Sequence, residues 1–310
     1  MFGLLNIDKP FGMTSREVVN RVQRLVRPDK IGHAGTLDPM ATGVLIMCVG
    51  RATRLNEFLQ HVAKRYRASF QLGCCSDTED MEGNLVYLDC PPRPTLGELQ
   101  EVLCQFRGEI MQRPPAFSAL KVKGQRAYSL ARQGRAVTLE PRRVTIDELT
   151  LVNYSYPELV LDVTCSSGTY IRSIGRDVGE ALGSAAVMSS LRRTAIGPFL
   201  VEEAEEVHEL NAENIAERLL PAVLAVSHFP QLEVSAEDIE QLGYGRFIDG
   251  TIPTGAEMAA AVDADGELIA LLSPVSRDKL KPHRFFPRSR KCRAGRSLSQ
   301  PLRDRWMTGG

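Results

Sequence analysis

The stretch of residues 31–46, IGHAGTLDPMATGVLI, constrains this chain most. It contains one carboxylate, Asp38, and its only other ionisable group is His33. Its glycines permit positive φ or close backbone approach, whereas Pro39 fixes φ and donates no N–H. An apolar run typical of a buried strand follows at once. A lone carboxylate on so restricted a loop indicates a positioned reactive group, and the alternative is an Asp that caps its own turn.

The apolar periodicity along the chain predicts alternating strands and helices. In the strand 64–72, Tyr66 should point to the face opposite its neighbours Arg65 and Arg67. Residues 32–39 should form a loop, and short strands should begin near residue 229, with a hairpin that turns at 263–266. The other predicted strands are 2–7, 44–49, 85–88, 144–153 and 159–165, and the predicted helices are 15–27, 51–62, 95–106, 128–133, 171–182 and 204–225.

The charge of the chain is unevenly distributed, although its formal net charge is zero. Residues 107–143 hold nine Lys or Arg and two acids, and residues 277–310 hold eleven and two. Residues 231–276 hold one Arg and nine acids. Local basic stretches determine how a chain attracts a polyanion, so these two segments favour contact with nucleic acid.

The seven cysteines show no metal-binding spacing, which favours reduced thiols and no bound metal. The sequence shows no signal peptide and no apolar run of membrane-spanning length. We therefore expect a cytoplasmic protein that does not contact membranes.

The stretch GHAGTLDPMATGVL resembles the catalytic motif of the TruB-type pseudouridine synthases, the tRNA pseudouridine-55 synthases. Further motifs of the family occur on both sides of this stretch, in the family's order, over about 190 residues. This makes the resemblance far more specific than a single glycine pattern. They are LNIDKP (5–10) with GMTS (12–15), KRY (64–66), LG (72–73), DTED (77–80) with Gly83, PAFSALK (115–121), GTYIR (168–172) and LRR (191–193). A looser likeness to a PUA module lies in DGELIA (265–270) and KPHRFF (281–286).

The resemblance implies an α+β pseudouridine synthase fold with a mixed, mainly antiparallel central sheet. The catalytic domain would span residues 1–228, with an RNA-binding arm inserted at about residues 112–141. A small β-barrel-like, PUA-like module would follow at 229–287, and a basic, disordered tail at 288–310.

The resemblance also assigns three catalytic residues. Asp38 is the nucleophile, and the sequence leaves open whether it attacks C1′ of the sugar or C6 of the base. Tyr66 stacks on the target base and is a candidate proton acceptor, and Arg172 is the cation that pairs with the catalytic Asp. The alternatives are a half-buried strand tyrosine and an ordinary arginine at a helix start.

Six further positions match substrate-binding residues of the family. His33 would wedge into the gap left by the flipped nucleotide, and Tyr170 and Leu191 would form walls of the uracil pocket. Lys9 lies in a matching motif, and Lys121 and Arg126 of the arm suit phosphate contacts. The alternatives are a loop histidine, plain core positions and a solvated charged arm.

The implied function is isomerisation of the T-loop uridine-55 of tRNA to pseudouridine by base flipping, without a metal or other cofactor. The partner would be the T-arm stem-loop of tRNA, bound by a monomer with no obligatory protein partner. A guide-RNA-dependent pseudouridine synthase subunit is one alternative. A non-catalytic RNA-binding or tRNA-folding protein is the other.

Overall fold

The computed structural model describes residues 1–118, 120–122, 124–133 and 139–287. These residues form two compact units built from non-consecutive segments. The first comprises Met1–Asp38, Leu45–Gln60 and the chain from Val201 onward, and the second comprises Pro39–Val44 and His61–Leu200. The domain limits given above stay a prediction, and the predicted tail lies outside the described residues.

The strands have the following bounds: β1 (Phe2–Lys9), β2 (Ile31–Ala34), β3 (Thr42–Gly50), β4 (Lys64–Leu72), β5 (Cys74–Cys75), β6 (Val86–Tyr87), β7 (Gly108–Gln112), β8 (Lys121–Val122), β9 (Gln125–Arg126), β10 (Arg142–Ser155), β11 (Glu158–Cys165), β12 (Ala186–Ile196), β13 (Phe199–Leu200), β14 (Glu205–Glu206), β15 (Gln231–Glu233), β16 (Ile248–Asp249), β17 (Ala259–Val262), β18 (Leu268–Pro274) and β19 (Lys279–Phe285). The α-helices are α1 (Ser15–Val26), α2 (Asn56–His61), α3 (Leu96–Gln105), α4 (Ala127–Arg132), α5 (Ile171–Ala181) and α6 (Ala236–Gly243), and 3-10 turns cover Arg51–Leu55, Val201–Glu203 and Ala222–Val226.

The second unit is organised on a sheet with the strand order β12-β4-β11-β10-β7, and the first two residues of β3, Thr42 and Gly43, pair with β12. The β12–β3 pair is parallel, and the other neighbours along this path are antiparallel. Burial alternates along β4, so Tyr66 lies on its buried face and Arg65 and Arg67 on its exposed face. The predicted strand and its orientation are confirmed.

The contact between β3 and β12 requires glycine at position 43. Thr42 and Gly43 lie opposite Arg192 and Arg193 in the parallel register. Gly43 has φ +98°, and a Cβ there would clash with the carbonyl oxygen of Arg193. Any side chain would therefore force the two strands apart.

In the first unit, β1 lies between β14 and β3, and β2 pairs with β3. Helix α1 begins with a capping box, in which the Thr14 hydroxyl accepts from the Glu17 N–H and the Glu17 carboxylate accepts from the Thr14 N–H. Its apolar face, which includes Val18 and Val22, packs in a core with Leu45 and other strand residues. The predicted helix 15–27 is confirmed.

A five-stranded sheet with the order β15-β17-β18-β19-β16 follows in the first unit. The turn between β17 and β18 is held by Asp263, whose Oδ1 accepts from the N–H groups of Asp265 and Glu267. The predicted hairpin is therefore confirmed. The mixed α+β architecture with a small carboxy-terminal sheet agrees with the predicted fold class.

Three local predictions were wrong or incomplete. Residues 31–34 form β2, paired antiparallel with β3, rather than a loop. Residues 204–225 contain β14, turns and the 3-10 turn Ala222–Val226 instead of a helix. The Asn211 and Asn214 side chains accept each other's backbone N–H groups there, and such local bonds compete with helix formation. Strand β12 and helix α6 were not predicted.

Candidate functional site

The main chain that enters Asp38 is held by the start of helix α1. The Ser15 hydroxyl accepts a hydrogen bond from the Leu37 N–H at 2.9 Å and donates one to the Leu37 carbonyl at 3.0 Å. Both residues are buried, and Asp38, the next residue, is half-buried. Because one hydroxyl binds both polar groups of Leu37, the backbone directly before Asp38 has little freedom.

His33 and Lys9 belong to the same unit as Asp38. His33 lies on β2 opposite Met47, and its Nε2 is 3.2 Å from the Thr36 hydroxyl. The Lys9 ammonium is buried and donates to the carbonyls of Pro10 at 2.9 Å and Met13 at 2.5 Å. Lys9 thus stabilises the turn that precedes α1, and the substrate contacts of both residues stay predictions.

In the second unit, the sheet places Tyr66 and Leu191 on one face. Tyr66 on β4 lies opposite Arg193 on β12, and Leu191 lies opposite Ala68. Residues two apart on a strand share a face, so the four side chains project to the same side of the sheet. Tyr66 is 8% exposed and Leu191 9% exposed, so both lie at the boundary of the core.

Two buried cations share this face with Tyr66. The Lys64 ammonium donates to the Val62 carbonyl at 2.6 Å, and Arg193 Nε donates to the Val44 carbonyl at 2.7 Å. Burial, together with the positive charge of Arg193, lowers the pKa of Lys64 to about 8. The pair creates a region of positive potential that favours negative charge nearby.

Arg172 lies in the first turn of α5 and is bound from three directions. Its Nη1 is 3.2 Å from Asp80 Oδ2 and donates to the Thr78 carbonyl at 2.8 Å, and its Nη2 donates to the Phe117 carbonyl at 3.1 Å. Both members of the ion pair are buried. A positive charge near a helix N-terminus opposes the macrodipole, and Asp80 compensates for it. The predicted pairing of Arg172 with Asp38 stays a prediction.

A second ion pair fixes the next turn of α5 to the same loop. Glu79, at φ +62°, pairs with Arg176 and accepts a hydrogen bond from the Ser173 hydroxyl at 2.8 Å. Burial raises the pKa of Glu79, and the Arg176 charge opposes that rise. Arg176 also donates to the Arg113 carbonyl at 2.8 Å. The loop of residues 78–80 is therefore held rigidly against α5.

A cavity of about 400 Å³ lies beside this second ion pair. Its lining combines acids, arginines and one exposed thiol, and includes Cys75, Asp77, Glu79, Arg113, Arg176 and Glu180. No single ligand chemistry stands out in this mixture of charges.

Tyr170 and the arm residues lie in the second unit as well. Tyr170 precedes α5 and is half-buried, with the Arg142 guanidinium 4.8 Å from its ring centre. Lys121 and Arg126 lie opposite each other in the β8–β9 pair. Their phosphate contacts stay predictions, and Lys123 and residues 134–138 of the arm lie outside the described residues.

Within the part of the chain that the structure describes, Glu206, His208 and Glu209 are the one group whose ligand atoms approach within 4.8 Å of one another. All three side chains are exposed, and exposed acidic groups of this kind are common without an ion. None of the described helices is long and apolar enough to cross a membrane.

Sequence reasoning missed Ser15 and Asp80, which hold site residues in place. The sequence carries no signal for the contact of Ser15 with Leu37, which lies 22 positions away. Asp80 lies in the DTED motif without an assigned role, and its pairing with a residue 92 positions away is a tertiary contact. An arginine at a predicted helix start was the available signal that an acid should lie near Arg172.

Three family models together match residues 23–284 of the chain. The amino-terminal domain of TruB family pseudouridylate synthases matches residues 23–171, and the tRNA pseudouridylate synthase B carboxy-terminal domain matches residues 172–241. The carboxy-terminal model of tRNA pseudouridine synthase II matches residues 229–284.

Curated relatives match nearly the whole chain. A tRNA pseudouridine synthase B of Syntrophotalea carbinolica is 43% identical over 279 residues, which cover 88% of this chain and 89% of the relative. One of Caldanaerobacter subterraneus subsp. tengcongensis is 40% identical over 288 residues, 92% of this chain and 99% of the relative.

Solved structures share the fold at lower identity. A chain from a Cbf5–Nop10–Gar1 complex is 26% identical, with a TM-score of 0.72 over 92% of this chain and 85% of that chain. A chain from an H/ACA ribonucleoprotein bound to a substrate RNA containing 2′-deoxyuridine is 25% identical, with a TM-score of 0.71 over 93% of this chain and 86% of that chain. The family models, the curated relatives and the fold agree, and the chain belongs to the TruB family of pseudouridine synthases.

Proposed function

We propose that this chain is an isomerase that converts the T-loop uridine-55 of tRNA to pseudouridine. The observation that carries the proposal is the 43% identity to a tRNA pseudouridine synthase B across 88% of the chain. The described geometry agrees with it, because the second unit carries an aromatic and apolar face with buried cations and a buried arginine–aspartate pair.

The reaction breaks the bond between N1 of uracil and C1′, turns the base, and rejoins it to C1′ through C5. The proton on C5 is lost and N1 gains one, so the elements balance without an oxidant, reductant or cofactor. Such chemistry needs a group that forms and then releases a covalent bond, and a carboxylate can do so. We assign that role to Asp38, whose preceding residue is clamped by Ser15.

The other assignments follow the family resemblance. Tyr66 is proposed to stack on the flipped uracil and to accept a proton, with Leu191 and Tyr170 as walls. The buried cations Lys64 and Arg193 favour a uracil that carries negative charge after its bond to the sugar is broken. Arg172 would keep the catalytic carboxylate ionised and oriented.

Two alternatives differ in what they require. The solved chains of similar fold come from complexes with Nop10 and Gar1 or from an H/ACA particle, so a guide-RNA-dependent activity is the second candidate. The higher identity to proteins named tRNA pseudouridine synthase B favours modification of tRNA, and we propose that the chain acts on it as a monomer without a protein partner. A non-catalytic RNA-binding or tRNA-folding protein is the third candidate.

The test is to incubate the purified chain with an unmodified tRNA transcript and to map pseudouridine by sequencing and mass spectrometry. We expect one pseudouridine, in the T-loop, and none in a transcript whose target uridine is replaced by cytidine. If the bare transcript stays unmodified and product requires a guide RNA with partner proteins, the second candidate is correct. Binding without product under either condition supports the third.

A further inference from the structure

The inserted arm is attached to the second unit through a two-stranded stem formed by β7 and β10. Gln112, the last residue of β7, lies directly opposite Arg142, the first residue of β10. The chain therefore enters and leaves the arm at one cross-strand pair. The covalent connection between the arm and the rest of the unit therefore runs through this pair.

Gln112 holds the main chain of Tyr170 by both of its polar groups. The Gln112 side-chain oxygen accepts from the Tyr170 N–H at 2.8 Å, and its side-chain nitrogen donates to the Tyr170 carbonyl at 3.0 Å. Gln112 is fully buried. A carboxamide offers one acceptor and two donors, whereas glutamate at neutral pH only accepts and leucine does neither.

The two neighbouring arm contacts converge on the same segment, residues 168–172. Arg142 lies over the Tyr170 ring at 4.8 Å and also donates to the Gly168 carbonyl. Within the arm, the Phe117 carbonyl accepts from Arg172 at 3.1 Å. The start of helix α5 is thus bound by both ends of the arm and by one residue inside it.

We propose that Gln112 is a positioning residue that couples the arm to Tyr170 and Arg172. This inference rests on the proposed function, since it assigns the arm to tRNA and the two residues to the uridine site. When the arm seats on tRNA, the stem fixes the Tyr170 backbone through Gln112, and Arg172, two residues later, takes its working position. Binding energy at the arm is in this way used to orient groups at the reacting uridine.

The first test compares Gln112→Leu and Gln112→Glu with Arg143→Ala. Arg143 occupies the next position of the same stem, where it forms an exposed ion pair with Glu109 at 3.3 Å, so it controls for general weakening of the stem. We measure the single-turnover rate at saturating tRNA, the tRNA Kd and the Tm of each variant. Gln112→Leu should lose at least about tenfold in rate while its Kd stays within about threefold, as expected for lost orientation. Gln112→Glu should lose less, and Arg143→Ala should match wild type.

The second test separates coupling from a purely structural role. The arm variant Lys121→Ala/Lys123→Ala/Arg126→Ala is combined with Gln112→Leu in a double-mutant cycle of rates at saturating tRNA. If Gln112 transmits the seating of the arm, the two rate losses are less than multiplicative. Multiplicative losses, or a rate for Gln112→Leu equal to that of Arg143→Ala, would overturn the inference.

The outcomes also distinguish this inference from the proposed function. Absence of pseudouridine with the wild-type chain refutes the proposed function itself. An active wild type with full-rate Gln112 variants refutes only the coupling. If Gln112→Leu does not fold, the rate of Gln112→Glu tests the coupling instead. A wild-type rate for Gln112→Glu would show that the hydrogen bond from Gln112 to the Tyr170 carbonyl does not couple the arm to the site.

Discussion

Replacing Ser15 by alanine tests whether the hydroxyl of Ser15 positions the backbone before Asp38. The Ser15 hydroxyl makes both of its described bonds to Leu37, at 2.9 and 3.0 Å, inside the core. A buried backbone group left without its partner costs about 1–3 kcal/mol. Losing the bonds to two such groups should lower the free energy of unfolding by roughly 2–6 kcal/mol.

The matched control is Thr14→Ala, the neighbouring residue. Thr14 is exposed and caps α1 by accepting from the Glu17 N–H at 3.1 Å. Loss of such a cap costs about 1 kcal/mol and leaves Leu37 untouched. The two variants therefore change neighbouring residues at the start of α1, but only Ser15→Ala releases the backbone before Asp38.

The assays are urea denaturation for stability and the single-turnover rate at saturating tRNA for chemistry. Ser15→Ala should lose about 10²-fold in rate, because small misplacements of a reacting group are costly. Thr14→Ala should stay within about twofold of wild type, since a cap lost remote from the reacting group leaves its geometry intact. Equal rates for the two variants would refute the reasoning that Ser15 places Asp38.

Three further predictions concern the second unit. The pKa of Lys64 is about 10.5 in the unfolded chain and about 8 in the folded chain. Between these pH values the unfolded chain binds more protons, so the free energy of unfolding of the wild type should rise with pH. Lys64→Met should remove that slope and raise the unfolding free energy at pH 7 by up to about 3 kcal/mol, as measured by urea denaturation. Burial raises the pKa of the Cys48 and Cys165 thiols, which lowers stability as pH rises above 9. This effect is the same in wild type and variant, so the comparison between them isolates Lys64. Asp80→Asn should cost about 3 kcal/mol in urea denaturation, because it leaves the Arg172 charge buried without its anion; a loss below about 1 kcal/mol, the value of an exposed pair, would contradict this. Tyr66→Phe should bind tRNA normally and lose about 10²-fold in turnover, and Tyr66→Leu should also lose about 1–3 kcal/mol of binding; a wild-type rate for the phenylalanine variant would leave the hydroxyl without a chemical role.

The elements that the sequence predicted well are those with a strong local signal. Strand β4 alternates apolar and charged residues, and this alternation alone predicts that Tyr66 lies on the face opposite its two arginine neighbours. The predicted helix 15–27 and the observed α1, Ser15–Val26, agree within one residue at each end. In such segments, local pattern and tertiary packing agree.

Strand β12 was missed because its buried face is partly polar. Arg193 is 1% exposed in the position where a central strand ordinarily carries an apolar residue, so the alternation that reveals a strand is broken. The charge is tolerated because Arg193 donates to the Val44 carbonyl, and that contact is visible only once β3 and β12 are brought together.

The supports of the candidate site were equally hidden from the sequence. Ser15 binds a residue 22 positions away, and Gln112 binds one 58 positions away. Each is a polar side chain that binds main-chain N–H and C=O groups. Because nearly every residue offers these groups, the identity of the partner residue gives no indication that the contact exists. The resemblance supplied the residues proposed for the reaction, and the fold supplied the residues that hold them.

The most direct test of the account is the activity of Asp38→Asn on a tRNA transcript. Asparagine keeps the shape of the side chain but cannot form the covalent bond that we assign to Asp38. We predict that the variant binds tRNA within a few-fold of wild type and forms no pseudouridine, as mapped by mass spectrometry. Turnover by Asp38→Asn above the level explained by deamidated protein would contradict the assignment of Asp38 as the nucleophile.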